Sequence, residues 1–283
     1  PSSVGRLDLR AMLAVLPEVH IDNPVYMEKD YSLDDAWVVR LREALVDAKE
    51  LTVALGDSVQ LTNNNKSVGA QLSVDIERML NHEDLGALPS VLEDERGRRW
   101  LREGTVTITT SGSAGLSFGA FCNDGMHLEH TGTANDGVGK GQCGGRIVVR
   151  SPGGGAAIGY CGGSDRRGGN VLIGNFALFG ATGGRLFVEG EAGDRFAVRN
   201  SGATAVVEGV GEFACEYMTN GAVLNLGGFG KGFGNGMSGG FVYQYDPEGL
   251  LPRKASADSI VLGSITGDDP QAAIHNAAVL QLL

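Results

Sequence analysis

Of the 45 glycines in this 283-residue chain, 38 lie between residues 104 and 249, so about one residue in four of that segment has no side chain. A helical reading fails there, because each glycine costs a helix about 1 kcal/mol. Collagen is excluded as well: the glycines keep no period of three and only eight prolines accompany them. Nor is the segment a flexible linker, since short Val, Ile, Leu and Phe runs recur between the glycines and need burial.

What recurs is a small-residue corner followed by a short apolar strand: GGRIVVR at 144, GGRLFVEG at 183, SGATAVVEG at 201, NGAVLNLG at 220 and SGGFVYQY at 238. Between Gly145, Gly184, Gly202, Gly221 and Gly240 the spacings are 39, 18, 19 and 19 residues. The first gap holds two units, one of them the strand NVLIGNFALFG, stretched by the loop SPGGGAAIGYCGGSDRRGG. A fixed period near 19 residues with one strand and one glycine corner is the signature of a solenoid. Strands divided by glycine corners fit a parallel β-helix, with coils of three short strands that each rise by one strand spacing. About seven coils fit between residues 104 and 245, a rod roughly 35 Å long. Phe176, Phe179, Phe187, Phe196, Phe213, Phe229 and Phe233 fall at strand and corner positions expected of core fillers.

The flanks differ in kind. Ser32 precedes LDDAWVVRLREALVDAKE, with Asp34 and Asp35 in the first turn and Leu33, Trp37, Leu41, Ala44, Leu45 and Ala48 at helical spacing, which predicts a capped amphipathic helix. TVALGDSVQL reads as two short strands about Gly56-Asp57, and EDERGRRW at 93–100 as a solvated loop. After residue 250 the segment DDPQAAIHNAAVLQLL places Pro270 near the start of a helix. The expected organisation is a mixed α/β N-terminal region over 1–103 packing on the solenoid, a glycine-rich β-helix over 104–249, and a C-terminal tail with a helix over 250–283. Pro1 follows no Met and the last helix lacks a C-cap, so either end is read as a cut.

Charge narrows the partners. With 23 basic against 34 acidic residues the net charge is −11, unsuited to a phosphate backbone or an anionic membrane. No apolar stretch approaches membrane-spanning length and the N-terminus has no secretory core, so a cytoplasmic protein is expected. Cys122, Cys143, Cys161 and Cys215 form no C-x-x-C pair and read as small buried thiols; His127 and His130, three apart in a strand, should face opposite ways. Gly139-Lys140-Gly141-Gln142-Cys143-Gly144 fits G-x-G-x-x-G formally, and Gly209 to Ala214 fits its Ala variant, but strands rather than helices follow both. The carboxylates Asp136, Glu189, Glu191, Asp194, Glu208, Glu212 and Glu216 are scattered, and pairing across coils with Arg146, Arg185, Arg195 or Arg199 is more economical than acid–base chemistry.

Longer runs resemble a known family. DRFAVRNSGATAVVEGVGEFACEYMTNGAVLNLG at 194–227 is similar to the C-terminal β-helical domain of the glutamate synthase large subunit, with its pattern ERFAVRNSGA-x-AVVEGVG-x-x-x-CEYMT-x-G. NNNKSVGAQLS at 63–73, GSAGLSFGAF at 112–121, TANDGVGKGQCGGRIVVR at 133–150, IGNFALFGATGG and GMSGGFVY extend the likeness over roughly residues 45–245. It departs at Lys66 for Arg, Leu116 for Gln, Thr133 for Asp, Gly137 for Tyr, and Phe213-Ala214 for a His-Gly pair.

The resemblance implies a right-handed β-helix packed between a glutamine amidotransferase domain and an FMN-binding synthase domain. Those partners carry the chemistry, including the flavin and an iron–sulfur cluster, and this chain is implied to be a non-catalytic scaffold with no catalytic, cofactor-binding or metal residue of its own. Asn135, Asp136, Lys140, Arg146, Arg199, Asn200 and Glu216 are the candidate contacts to partner domains or subunits; for the run from Asn135 to Arg146, a role within the solenoid fits equally. Similar β-helical subunits of N-methylglutamate synthase and formylmethanofuran dehydrogenase imply a second possibility, another amine-transferring or one-carbon oxidoreductase complex. A third is an independent small-molecule-binding solenoid. The coil reading itself is testable: Gly141→Val and Gly202→Val should each lower the thermal midpoint by several degrees, and an unchanged midpoint in both would count against it.

Overall fold

A computed structural model describes residues 32–153, 170–256, 260–266 and 270–283, with Asp8, Arg10, Ala14 and Asp258. By their contacts residues 1–30 and residues 31–283 form two units, and the elements that follow belong to the second. Helix α1 (Ser32–Arg42) runs into a π-turn at Glu43–Asp47, followed by β1 (Val53–Leu61) and α2 (Ala70–His82). The hairpin strands β2 (Val91–Glu93) and β3 (Arg99–Leu101) precede β4 (Val106–Ala114), β5 (Met126–Ala134), β6 (Cys143–Arg150) and β7 (Val171–Ile173). Then come β8 (Gly183–Ala192), β9 (Ser201–Gly209), β10 (Asn220–Gly228), β11 (Phe241–Gln244), α3 (Leu251–Lys254) and α4 (Pro270–Leu282).

Eight strands stack as one parallel sheet in the order β1-β4-β5-β6-β8-β9-β10-β11. Each supplies one rung of a parallel β-helix. Every second side chain points inward, and register turns these into ladders: Leu55, Ile108, Leu128, Ile147, Leu186, Ala205, Val223 and Val242 form one continuous column. The neighbouring column runs Thr110, His130, Val149, Val188, Val207 and Asn225. Stacked aliphatic columns bury apolar area at about 25 cal/mol per Å2, which holds the rungs together.

Four readings of the sequence change. TVALGDSVQL is one strand paired to β4, and Gly56 (φ +73°) takes up a register break between Leu55 and Val59 instead of closing a hairpin. EDERGRRW is solvent-facing over 94–98 as expected, but its ends, Glu93 and Arg99-Trp100, belong to an antiparallel pair with Val91 opposite Leu101. The pairing of Arg185 with Thr204 and of Thr204 with Ala222 puts Ala203, not Gly202, in line with Gly184 and Gly221. Gly202 is needed for room instead: its φ is ordinary, but a Cβ there would run into the Thr182 carbonyl. And among the described residues a coil has one long strand and a turn-rich arc rather than three strands, a second short strand being present at β7.

Asp34 does more than favour its own helix. Its buried carboxylate accepts the N–H groups of Gly69 (2.9 Å), Gln71 (2.9 Å) and Leu72 (3.1 Å), capping α2, whose N-cap Gly69 has no side chain to do so. Burial raises the Asp34 pKa, and those three N–H bonds oppose the rise.

Gly132 in β5 combines a φ of +140° with a close backbone approach, since a Cβ there would meet the carbonyl oxygen of Gly112 in the adjacent rung. Gly132→Ala should cost about 2 kcal/mol or more in urea unfolding. Ser117, a non-glycine residue at φ +61°, should behave oppositely. Ser117→Gly is expected to leave stability unchanged or raise it by up to about 1 kcal/mol, because relief of left-handed strain offsets the added unfolded-state entropy.

Candidate interaction face

The arcs share one backbone rule. In successive coils the left-handed residues fall two apart: Ser117, Gly119 and Phe121; Gly137, Gly139 and Gly141; Phe176, Leu178 and Gly180; Arg195, Ala197 and Arg199; Phe213, Cys215 and Tyr217; Gly232, Gly234 and Gly236. Their N–H groups reach carbonyls of adjacent coils. Gly137 donates to Asn175 (2.9 Å) and Gly141 to Phe179 (2.9 Å) on one side, while Gly139 donates to Phe118 (2.9 Å) on the other. Between the first and second left-handed residue of each arc, Phe118, Val138, Ala177, Phe196, Ala214 and Phe233 point inward and are buried.

That alternation corrects the core assignment of the phenylalanines. Phe196 and Phe233 are buried as expected, but Phe179 is exposed and Phe176, Phe187, Phe213 and Phe229 are half-buried. Several lie over glycines of the next coil: a Cβ on Gly141 would sit 2.8 Å from the Phe121 ring, and one on Gly137 would sit 3.0 Å from Phe176. The rings of Phe213 and Tyr217 cover Gly232 and Gly236 in the same way. A ring shields the glycine that left room for it. Gly137, where the family pattern has Tyr, therefore has its outer side taken by Phe176.

The outward side chains form a strip of cations and rings across five consecutive coils. Phe121 (51% exposed), Phe179 (39%) and Tyr217 (48%) alternate with Lys140, 5.9 Å from the Phe179 ring centre, and Arg199, 5.3 Å from that of Tyr217. Exposed cation–ring pairs of this kind hold about 0.5–1 kcal/mol each, so the strip is ordered before anything docks on it. Arg and aromatic side chains are the types enriched in interface cores.

The sequence candidates divide among four places. Lys140 and Arg199 lie on the strip, with Glu216 beside it, largely enclosed, accepting from Asn235 (3.2 Å) and 3.9 Å from Arg195. Asn135 and Asp136 sit at the corner between β5 and the arc: Asn135 donates to Asn63 (3.0 Å) and Asp136 accepts the Asn175 N–H (2.7 Å). Asn175 and Asp194 continue this ladder by accepting the N–H groups of Asp194 (2.9 Å) and Glu212 (2.8 Å). Arg146 stands on the sheet face over Phe187 (4.9 Å). Asn200 is fully buried, its amide consumed by Gly202 and Ala203 within its own corner.

Arginine–carboxylate ladders are not built as expected. Of the four arginines, Arg195 pairs with one of the named carboxylates, Glu216; Arg185 pairs with Glu103, and Arg146 and Arg199 lie on rings. A ring one coil away gave them a nearer partner than a carboxylate. Among the described cysteines Cys122 and Cys215 are buried, which raises both thiol pKa values, that of Cys215 to about 12. Cys143 is exposed, contrary to expectation, because its strand position turns outward; Cys161 lies outside the described residues. His127 and His130 do face opposite ways. Among the described residues no group of His, Cys, Asp and Glu is placed to hold a metal, and no helix is long and apolar enough to cross a membrane.

Phe121, Phe179 and Tyr217 were missed from the sequence. For Phe121 and Tyr217 the signal was present: the last glycine of GVGKG (137–141) and of GFGNG (232–236) marks the left-handed position that these two occupy in their own coils, whereas Phe179, one residue before that position, carries no such mark.

Rungs, arcs and strip together define a parallel β-helix with an alternating-handed arc and one ordered outward face. The chain belongs to the GXGXG family: the family described as "GXGXG motif" matches residues 38–279. It is 37% identical over 264 residues to the glutamate synthase [NADPH] large chain of Bacillus subtilis (strain 168), covering 92% of this chain and 16% of that protein. To the glutamate synthase [NADH] of Schizosaccharomyces pombe (strain 972 / ATCC 24843) it is 38% identical over 237 residues, 82% of this chain and 10% of that one. To ferredoxin-dependent glutamate synthase 2 of Synechocystis sp. (strain ATCC 27184 / PCC 6803 / Kazusa) it is 42% identical over 207 residues, 73% and 12%. The chain thus spans 10–16% of the length of these relatives and is a glutamate-synthase-type module.

One buried titratable group in the rungs gives a pH signature. His130 Nε2 donates to the Thr133 carbonyl (3.0 Å), leaving Nδ1 to accept from the Thr110 hydroxyl (2.9 Å), so the ring is held neutral. Burial depresses its pKa below the ordinary 6.5. A depressed histidine leaves the unfolded chain binding more protons below that value, so stability is lost as pH falls through it. The urea midpoint should decline from about pH 8 to about pH 5.5, and His130→Gln should flatten that decline. An identical profile in the variant would reject the assignment.

Proposed function

We propose that this chain is the non-catalytic β-helical scaffold and coupling element of a glutamate-synthase-type enzyme. In this reading a glutamine-dependent amidotransferase region and a synthase region bearing FMN and an iron–sulfur cluster make glutamate from 2-oxoglutarate, and this module holds them in register. The carrying observation is that the likeness runs through most of the chain yet fills 10–16% of its relatives, as one module of a much larger enzyme does. The arc strip supports the reading, since Lys140, Arg199, Phe179 and Tyr217 offer an ordered surface for a neighbouring domain, with Asn135, Asp136 and Glu216 at its edge. Arg146 is proposed as a contact on the sheet face, and Asn200 acts through the corner that it braces. A mixed region over 1–103, the β-helix over 104–249 and the tail over 250–283 remain the working division, in a cytoplasmic protein.

Native mass spectrometry of the complete protein from its source is expected to show this sequence together with a glutaminase-type component and bound flavin. A lone 29.5 kDa species, or a homo-oligomer without flavin, would overturn the reading. In the complete enzyme, Lys140→Glu combined with Arg199→Glu should lower glutamine-dependent turnover by about tenfold at an unchanged thermal midpoint.

A further inference from the structure

The outer face of the sheet, away from the arcs, stacks three basic side chains in one column. His127 in β5 is in register with Arg146 in β6, which is in register with Arg185 in β8. Parallel rungs set these groups about 4.8 Å apart on a chain whose net charge is −11. The flanking residues are unequal. Glu129 lies 3.3 Å from His127 and 3.6 Å from Arg150, and Glu103 pairs with Arg185. Arg146, at the centre of the column, has no carboxylate partner among the described residues.

Arg146 is nonetheless held in place. Its guanidinium stacks on Phe187 at 4.9 Å, and its Nε is enclosed without an acceptor. A guanidinium fixed by its face offers its edge, the geometry that takes a planar two-oxygen acceptor. The column already accepts carboxylates on both sides: Glu103 comes to Arg185 from the connection after β3, outside the stacked sheet, and Glu129 sits against His127. A chain this acidic also repels a multiply charged phosphate more strongly than a single carboxylate.

We propose that the His127–Arg146–Arg185 column is a carboxylate-binding site in which Arg146 is the central cation. The proposal does not rest on the scaffold reading, because it concerns this chain's own face. Its ligand is either a free dicarboxylate or an acidic side chain of a docked segment.

Burial and the nearby Arg146, Arg150 and Arg185 hold the His127 pKa below its ordinary value, with Glu129 opposing them, so an added carboxylate should raise it. The test is a set of NMR titrations of the 15N-labelled chain, followed at the Arg146 Nε–H and the His127 ring. The probes are sodium glutarate, the peptide acetyl-Glu-Gly-Glu-amide and inorganic phosphate, at constant ionic strength against chloride. Glutarate or the peptide is expected to shift both groups and raise the His127 pKa. Arg146→Gln should weaken binding by about tenfold or more, Arg185→Gln should weaken it less, and Glu129→Gln, which removes the competing internal carboxylate, should strengthen it. Tighter binding of the peptide assigns the site to a docked segment, and tighter binding of glutarate to a free ligand; both uphold it. Phosphate binding as tightly as either, or an affinity unchanged in folded Arg146→Gln and Arg185→Gln, overturns it.

Discussion

The β-helix depends on a backbone exchange in its arcs. Among the described residues ten left-handed arc residues are not glycine, and every one of them donates its N–H to a neighbouring coil at 2.7–2.8 Å: Ser117 to Asp136, Phe121 to Lys140, Phe176 to Asp194, Leu178 to Val138, Arg195 to Glu212, Ala197 to Ala177, Arg199 to Glu216, Phe213 to Lys231, Cys215 to Phe196 and Tyr217 to Asn235. A left-handed non-glycine residue costs about 1–2 kcal/mol. Relaxing it would orphan an N–H group at a comparable cost of about 1–3 kcal/mol, and would lose register with the coils on either side. The strain therefore persists because each coil over-determines its neighbour, and glycine is a relief at these positions, not a requirement.

Handed alternation then decides which side chains meet solvent. With the intervening residue directed inward, as Phe118, Val138 and Phe196 are, a large residue at the first or third left-handed position has nowhere to go but outward. There it covers the adjacent coil's glycine, as Phe121 covers Gly141, or carries a cation, as Tyr217 carries Arg199. Phe121, Arg199 and Tyr217 thus face outward as a by-product of the arc's hydrogen bonds, and Lys140 and Phe179, one residue before the third position, are exposed beside them. The corner ladder Asp136, Asn175, Asp194 fixes the strip at one end, each side-chain oxygen taking the next coil's N–H. On the sheet face the period is two, and the column from His127 to Arg185 arises from register between successive rungs.

The period near 19, the strand after each corner and the inward Val, Ile and Leu columns were legible in the sequence, because alternation and glycine corners are local signals. The arcs were half legible. GVGKG and GFGNG spell the left-handed positions, but NFALFG and DRFAVRN occupy the same backbone with no glycine at the first two, so propensity alone assigns their phenylalanines to the core. Contacts between distant segments were not legible at all. Asp34 looks like a first-turn acid of its own helix until α2 is seen to end on it, and Glu103 looks like a loop residue until Arg185 arrives.

A face built this way can change its chemistry without moving. The arc's hydrogen bonds run from backbone to backbone, so exchanging the first or third left-handed side chain alters the outward surface while the rung keeps its place. Gly137 and Phe213 stand at such positions, and both depart from the family's pattern: the first leaves room for Phe176, the second shields Gly232. Neither departure touches the donation of Gly137 to Asn175 or of Phe213 to Lys231. At these two positions the departure changes what the arc presents outward and leaves the hydrogen bonds that hold the coil in place.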